Sequence, residues 1–386
     1  MIILEKPYIS EFLQETVIQL QIPVLKTDFV LSLPLSEKMN LIEQDAFLLK
    51  LKQNPELRIY SNSENSSVWL NNYAEDFAIT KLVNTLKNKA HFRDLLAEDN
   101  TNFWYKVFTF NEIMNLNISE IPKGFVIKPK RGFASICIHA VFNNEDWENA
   151  LNSIKKEAGE MKNVFPDNVV SLQEFIIEKF IEGKEIAIDA YFDENGCPVI
   201  LNILTHLHTS KYDMSDRLYV TSETIITTYH QKIYDYLILL NKKLNVKNFP
   251  FHLEMIENLE NEIVPIEINP MRFMGFCVAD VDFLFYGINP YEYFFKNLKP
   301  DWNSIFKTRK NKIYGFVVVD IPKNLNRDKI KFNYEKFISH FSKPLHYVKM
   351  DYNIFPMAIF MFAEVADENF KEFEYILHSD LMEYID

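Results

Sequence analysis

The stretch Pro265-Ile266-Glu267-Ile268-Asn269-Pro270-Met271-Arg272-Phe273 poses the question on which the fold turns. Ile266 and Ile268 alternate with Glu267 and Asn269, the two-residue period of a strand with one apolar and one polar face. The chain then turns at Pro270 and presents Arg272 beside an aromatic ring. Such a polar face serves either as a solvated sheet surface or as a binding platform, and the segment alone does not choose.

The charged run Glu257-Asn258-Leu259-Glu260-Asn261-Glu262 precedes it, and before that Phe251–Ile256 is a second strand pattern, so the two predict a hairpin. His252 and Glu254 share one face of the first strand, Glu267 and Asn269 one face of the second. If the faces coincide, two carboxylates and an amide oxygen converge. Hard divalent cations such as magnesium take such oxygen sets together with substrate phosphates. A plain polar sheet face is the alternative. Against it, the connecting run already supplies charge for solubility, and Arg272 is placed to meet an anion beside a metal.

The totals bound the rest. At 386 residues the chain exceeds one ordinary core, and two or three packed units are expected. With 48% hydrophobic and 25% charged residues it is globular in composition. The net charge of −13 argues against a duplex nucleic-acid binder, which needs basic surface. The three cysteines, Cys137, Cys197 and Cys277, are widely spaced and form no CxxC, which suggests a reducing compartment with neither disulfide framework nor zinc finger. No apolar run is long enough to span a membrane and no signal peptide is legible, so a cytoplasmic location is expected.

Along the chain, Ile2–Leu4, a helix from Ser10 as N-cap to about Leu20, and Pro23–Leu25 make a β-α-β start that predicts a parallel sheet. A further short strand, Leu57–Tyr60, ends in Ser61–Ser67, read either as a loop with a helix cap or as a segment facing a site. A helical stretch runs from about Thr80 to Leu96. Strands are expected at 124–129, 170–175, 186–192 and 199–204, with a turn at Glu194-Asn195-Gly196. A fresh unit is expected from about Lys310, and boundaries are set near 80 and 305.

Two more segments carry chemistry. In Phe125–Ser135 (FVIKPKRGFAS) a strand delivers Lys128, Pro129 ends it, and the following residues form a basic turn or a loop over phosphates. Its single glycine does not make the GxxxxGK[ST] pattern. In Glu178–Glu185 (EKFIEGKE) extended main chain would suit a flat heterocycle and Glu185 a pair of ribose hydroxyls, whereas a hairpin turn at Gly183 is the plain reading.

Together these segments resemble the ATP-grasp superfamily, with spacing similar to the D-alanine–D-alanine ligases. Lys89 enters a helix in NKAHFRDLL, Lys128 stands in VIKP, and then follow EKFIEGKE, Glu254 in FHLE, and Glu267 and Asn269 in EIN, over roughly residues 80–290. The resemblance implies an α/β and α+β multidomain chain: a small N-terminal α/β (preATP-grasp) domain at 1–80, an ATP-grasp domain at 81–304 split near 170, and a C-terminal α/β extension at 305–386. It implies phosphate contacts from Lys89 and Lys128, with Ser135 in the loop. Glu178, Lys179, Phe180 and Ile181 would form an adenine hinge, chiefly through main chain, and Glu185 would hold the ribose. Two magnesium ions, replaceable by manganese, would sit on Glu254, Glu267 and Asn269. Residues 206–219 would close over the site, bringing Lys211 to the transferred phosphate, and Arg272 would hold the substrate carboxylate or acyl phosphate.

The implied activity is ADP-forming ligation of a small-molecule carboxylate to an amine, with an ATP-grasp kinase, a thiol ligase or a non-catalytic ATP-binding protein as alternatives. No nucleic acid or membrane partner is expected, and a homodimer is left open. The sequence departs from the ligases at Phe133 and Ala134, where small residues are usual, and at His252, where the ligases carry arginine; that histidine reads equally as a substrate contact or a satisfied core residue.

Overall fold

The computed structural model describes residues 1–98, 103–132, 137–161, 171–322, 325–366 and 370–385. Four short strands, β1 (Ile2–Ile3), β2 (Val24–Leu25), β3 (Leu41–Ile42) and β4 (Tyr60–Ser61), form a parallel sheet in the order β3-β2-β1-β4. The first crossover helix, Glu11–Gln19, starts where expected: the Ser10 hydroxyl accepts from the Leu13 amide. The helical stretch expected from Thr80 to Leu96 is broken. Helices Ala78–Lys87 and Lys89–Leu96 meet at Asn88, whose side chain caps the second by accepting from the amides of Ala90 and His91.

A small antiparallel sheet follows, built from β5 (Tyr105–Thr109), β6 (Phe125–Arg131), β7 (His139–Val141) and β8 (Ser171–Lys179) in the order β5-β8-β6-β7. Pro129 does not end its strand. Pairing of β7 with β6 covers only Phe125–Ile127, so Pro129 meets β8 alone and its missing N–H costs no ladder bond on the β7 side. The ladder becomes irregular between Pro129 and Arg131.

The third sheet has eight strands: β9 (Gly183–Phe192), β10 (Pro198–Leu207), β11 (Leu218–Ser222), β12 (Phe249–Asn258), β13 (Ile263–Pro270), β14 (Lys312–Asp320), β15 (Pro344–Lys349) and β16 (Met357–Ala366). Its order is β13-β12-β9-β10-β11-β14-β16-β15. The β9–β10 connection turns at the expected place, with Gly196 at φ 79° and the Asp193 carboxylate accepting from the amides of Asn195 and Cys197. Gly183, in contrast, does not turn a hairpin. It opens β9 opposite Asn258, and a Cβ there would lie 2.1 Å from the Glu257 carbonyl oxygen. Close approach of two strands is what requires glycine.

The segment expected as a fresh unit from about 310 adds β14, β16 and β15 to this same sheet through pairing of β14 with β11. One face of the sheet shares a core with the N-terminal parallel sheet, uniting Ile2, Tyr60, Ile188, Phe251 and Phe294. The C-terminal half buries a second core around Val317, Phe337, Met361 and Phe373, and the small sheet has its own around Ile127, Trp147 and Phe175. Removing residues 306–386 would uncover the β11 edge and the apolar side chains Leu218 and Val220, which are buried in the second core. The truncated chain is expected to aggregate on expression; a monodisperse, folded product by size exclusion would contradict the continuity of this core.

Candidate active site

The expected hairpin is present, and its register answers the question of faces. His252 lies opposite Asn269 and Glu254 opposite Glu267 in the β12–β13 ladder, so both polar sets share one side of the sheet. The register shifts after Glu254, leaving Ile266 as a bulge residue, and Ile266 projects into a cavity of about 1010 Å³ together with Glu254 and Glu267. Asn269 is buried beside His252 and does not line that cavity.

The cavity lies between the small sheet and the eight-stranded sheet: Val126 and Lys128 of β6 and Glu178 of β8 face it from one side, Glu185 of β9 and Glu254 of β12 from the other. Its charges are buried and cross-linked. Glu178 receives the Lys128 ammonium on one oxygen and Arg93 Nε at 2.9 Å on the other. Burial alone would raise its pKa, but Arg93 and Lys128 outweigh that and hold it at about 2. Arg93 also donates to the Pro265 carbonyl, tying helix Lys89–Leu96 to the start of the PIEIN segment. Lys89, at the first turn of that helix, reaches Glu267 at 2.5 Å and the Gly132 carbonyl at 3.2 Å.

The two facing carboxylates are thereby driven apart. Burial disfavours ionisation of Glu254, and Glu267, Glu185 and Asp216 add like charge, so its pKa lies well above the carboxylate range. Burial also opposes ionisation of Glu267, yet Lys89 outweighs it and lowers the pKa. Two carboxylates thus share one close ammonium. This excess of oxygen donors over positive charge fits a divalent cation at Glu254 and Glu267.

The hinge segment borders the cavity from Glu178 to Glu185. The amides of Lys179 and Phe180 donate to the carbonyls of Trp104 and Gly124, so neither is available to a ligand, and the Glu178 side chain is committed to Lys128 and Arg93. Glu185 faces two imidazoles, its Oε1 lying 3.0 Å from His206 Nδ1 and its Oε2 3.2 Å from His208 Nε2.

The segment after β10 is folded across the cleft. Asp213 organises it by accepting from Thr209 and Ser215, through both amides and both hydroxyls. Lys211 Nζ sits 3.9 Å from the centroid of the Phe142 ring, which also packs edge-on against Phe180 and Tyr212. Lys211 therefore bridges the two sheets through a cation–π contact.

Arg272 is buried. Its Nε donates to Glu64 at 2.6 Å and its Nη1 to the Phe273 carbonyl at 2.8 Å, while Lys87 pairs with the same carboxylate. Burial would raise the pKa of Glu64, but Lys87 and Arg272 hold it at about 2. The Ser61–Ser67 run therefore approaches the site through Glu64. His252 Nδ1 pairs with the fully buried Asp189 at 2.7 Å, beneath Glu254. Of the expected set, Lys128, Glu178, Lys179, Phe180, Ile181, Glu185, Lys211, Glu254 and Glu267 line the cavity, Lys89 joins through Glu267, and Asn269 and Arg272 lie behind the lining. Ser135 falls outside the described residues, as do Phe133 and Ala134. Sequence reasoning missed Arg93, Glu64, Lys87, His206 and His208. Arg93 had a signal, standing four residues after Lys89 on one helix face, and the i, i+2 spacing of His206 near the end of β10 and His208 just past it was another.

Comparison with known proteins gives a consistent picture. Residues 121–280 match the family model of the ATP-grasp domain. No curated protein matches the chain by sequence. Among solved structures, an L-amino acid ligase from Bacillus licheniformis superposes with a TM-score of 0.70 at 16% identity, covering 100% of this chain and 97% of the other. N5-carboxyaminoimidazole ribonucleotide synthetase from Thermotoga maritima gives 0.59 at 15%, covering 100% and 98%. Biotin carboxylase from Campylobacter jejuni gives 0.59 at 11%, covering 95% and 87%. The fold, from the N-terminal parallel sheet to the C-terminal strands, is the one these proteins share.

The Glu178 pairs make a stability prediction. Glu178→Gln leaves Lys128 and Arg93 buried with less compensation and is expected to cost about 3–5 kcal/mol at pH 7 by urea unfolding. The folded pKa is depressed from the ordinary 4.5 to about 2, so this stabilisation is present above pH 4.5 and lost as pH falls towards 2. The gap between wild type and variant should therefore narrow at pH 3; a gap independent of pH would refute the pairing.

Proposed function

From the premise that this chain is an ATP-grasp protein, carrying that domain over residues 121–280, we propose that it is an ATP-dependent, ADP-forming ligase joining a small-molecule carboxylate to an amine through an acyl phosphate. The observation that carries the reading is the facing pair Glu254 and Glu267 on the floor of a two-sheet cleft, with Lys89 and Lys128 beside it.

A carboxylate is a poor electrophile. Its oxygen attacks the γ-phosphorus of ATP, the bond to the β-phosphate oxygen breaks, and ADP leaves with that electron pair. The amine nitrogen then attacks the acyl carbon, phosphate departs, and the nitrogen loses a proton. Phosphoryl transfer of this kind needs alignment and charge neutralisation more than a protein nucleophile. Lys89 and Lys128 are proposed to meet the phosphates, with Glu178 fixing the position of Lys128. Magnesium, held by Glu254 and Glu267 with Asn269 behind them, would supply electrostatic neutralisation of the phosphate oxygens. With the amides of Lys179 and Phe180 occupied, main-chain donors to the adenine fall to Ile181 or Glu182. Glu185 is proposed for the ribose.

Arg272 is proposed to hold the substrate carboxylate, its guanidinium oriented by Glu64. Lys211 would exchange its Phe142 contact for the transferred phosphate, and the segment carrying it would exclude water from the acyl phosphate. Holding the amine against that intermediate makes the second step effectively intramolecular. The full-length likeness to an L-amino acid ligase makes amino acids or peptides the first class of acid and amine to test.

Incubation with ATP, magnesium and pairs of such compounds is expected to release ADP and phosphate only when both an acid and an amine are present. Intact ATP binding with no ADP from a broad set of pairs would exclude the proposal, and a stable phosphoester or thioester product would point instead to a kinase or a thiol ligase. Glu267→Ala should lower kcat by about 10²–10³-fold or more while the circular dichroism spectrum is retained. Lys211→Ala should lower kcat by about 10-fold or more with the ATP KM nearly unchanged, the pattern of a contact made in the transition state.

A further inference from the structure

His206 lies directly opposite Glu185 in the β9–β10 ladder, and His208, just past the end of β10, also reaches Glu185. One donor atom from each of Glu185, His206 and His208 lies within 4.8 Å of the others. The proton inventory of His206 is informative. Its Nε2 stands 2.9 Å from the Ser215 carbonyl, which can only accept, so Nε2 carries a hydrogen. Its Nδ1 faces Glu185 Oε1 at 3.0 Å. In the neutral ring that nitrogen holds a lone pair, and a lone pair against a carboxylate oxygen is repulsive. A cation belongs between them.

A proton on Nδ1 would meet that need but leaves His208 unexplained. That second ring brings Nε2 to 3.2 Å from the other Glu185 oxygen, while its buried Nδ1 has no partner among the described residues. The two rings stand 3.9 Å apart, and Tyr219 stacks on His206 at 4.0 Å, holding its plane. A histidine that donates its far N–H to a backbone carbonyl and turns its near nitrogen to a carboxylate has the outer arrangement of a metal ligand. The two nitrogens approach different oxygens of Glu185, at 3.0 and 3.2 Å, and one donor from each residue lies within 4.8 Å of the others, a spacing that contracts to about 3.3 Å around a tetrahedral ion bound at about 2.0–2.1 Å.

We infer that Glu185, His206 and His208 form a site for a transition-metal ion such as zinc or cobalt, separate from the carboxylate floor at Glu254 and Glu267. Two imidazoles and one carboxylate suit such ions better than magnesium, and the remaining coordination position opens on the cavity, which all three residues line. An ion here and a ribose at Glu185 would exclude each other. That consequence rests on the function proposed above; the site itself does not.

The test is titration of the untagged full chain with Co2+, read by its visible absorption, and with Zn2+ by calorimetry, both without nucleotide, so that the result is independent of any ligase activity. One saturable ion per chain is expected. His208→Ala and Glu185→Gln should each weaken binding tenfold or more with unfolding temperatures near wild type, whereas Glu267→Gln should retain the ion. No saturable binding in the wild type, or binding unchanged in both His208→Ala and Glu185→Gln, would overturn the site and leave His206 an imidazolium paired with Glu185.

Discussion

Two carboxylates facing each other across a strand pair in a half-buried floor oppose each other's ionisation unless a cation lies beside them. Glu254 and Glu267 impose this constraint, and much of the surrounding structure answers to it. Helix Lys89–Leu96 is capped by Asn88 so that Lys89 enters beside Glu267, and its next turn sends Arg93 to Glu178. Glu178 in turn holds Lys128. The positive charges of the cleft are thereby brought beside the carboxylates, and the carboxylate excess is concentrated at one place.

Such a network makes the cleft stiff and sensitive. Arg93, Lys128 and Glu178 are shielded from water, so the loss of one partner strands another in a low dielectric. The same logic recurs behind the cleft, where Arg272, Glu64 and Lys87 join the end of the PIEINPMRF segment to the loop after β4 and to helix Ala78–Lys87. The segment after β4 is thereby coupled to the end of β13. On the opposite side, Lys211 and Tyr212 on Phe142 hold the β10–β11 connection against the residue after β7, while Asp213 organises that connection internally.

Much of this was legible in advance where the signal is local. Alternation gave the strands, and the polar residues of the hairpin share a face as the two-residue period requires. Pro129 misled because a proline stops a strand only when its amide side is paired. Gly183 misled because the glycine answers to a neighbouring backbone, not to a turn. The continuation of the eight-stranded sheet past residue 305 was not legible, since the pairing of β14 with β11 lies outside any local window.

By itself the sequence determined where its strongly periodic strands and helices lie and that Glu254 and Glu267 share the polar face of the hairpin, because periodicity and spacing act over a few residues. Only the tertiary structure decided how those ions are matched. Arg93 meets Glu178 across a separation of 85 residues and Arg272 meets Glu64 across 208, and no local pattern announces such a pairing. It also decided that Glu185 faces two histidines, since that contact depends on the β9–β10 register. Burial makes each of these choices energetically binding, and burial is a property of the packed sheets alone.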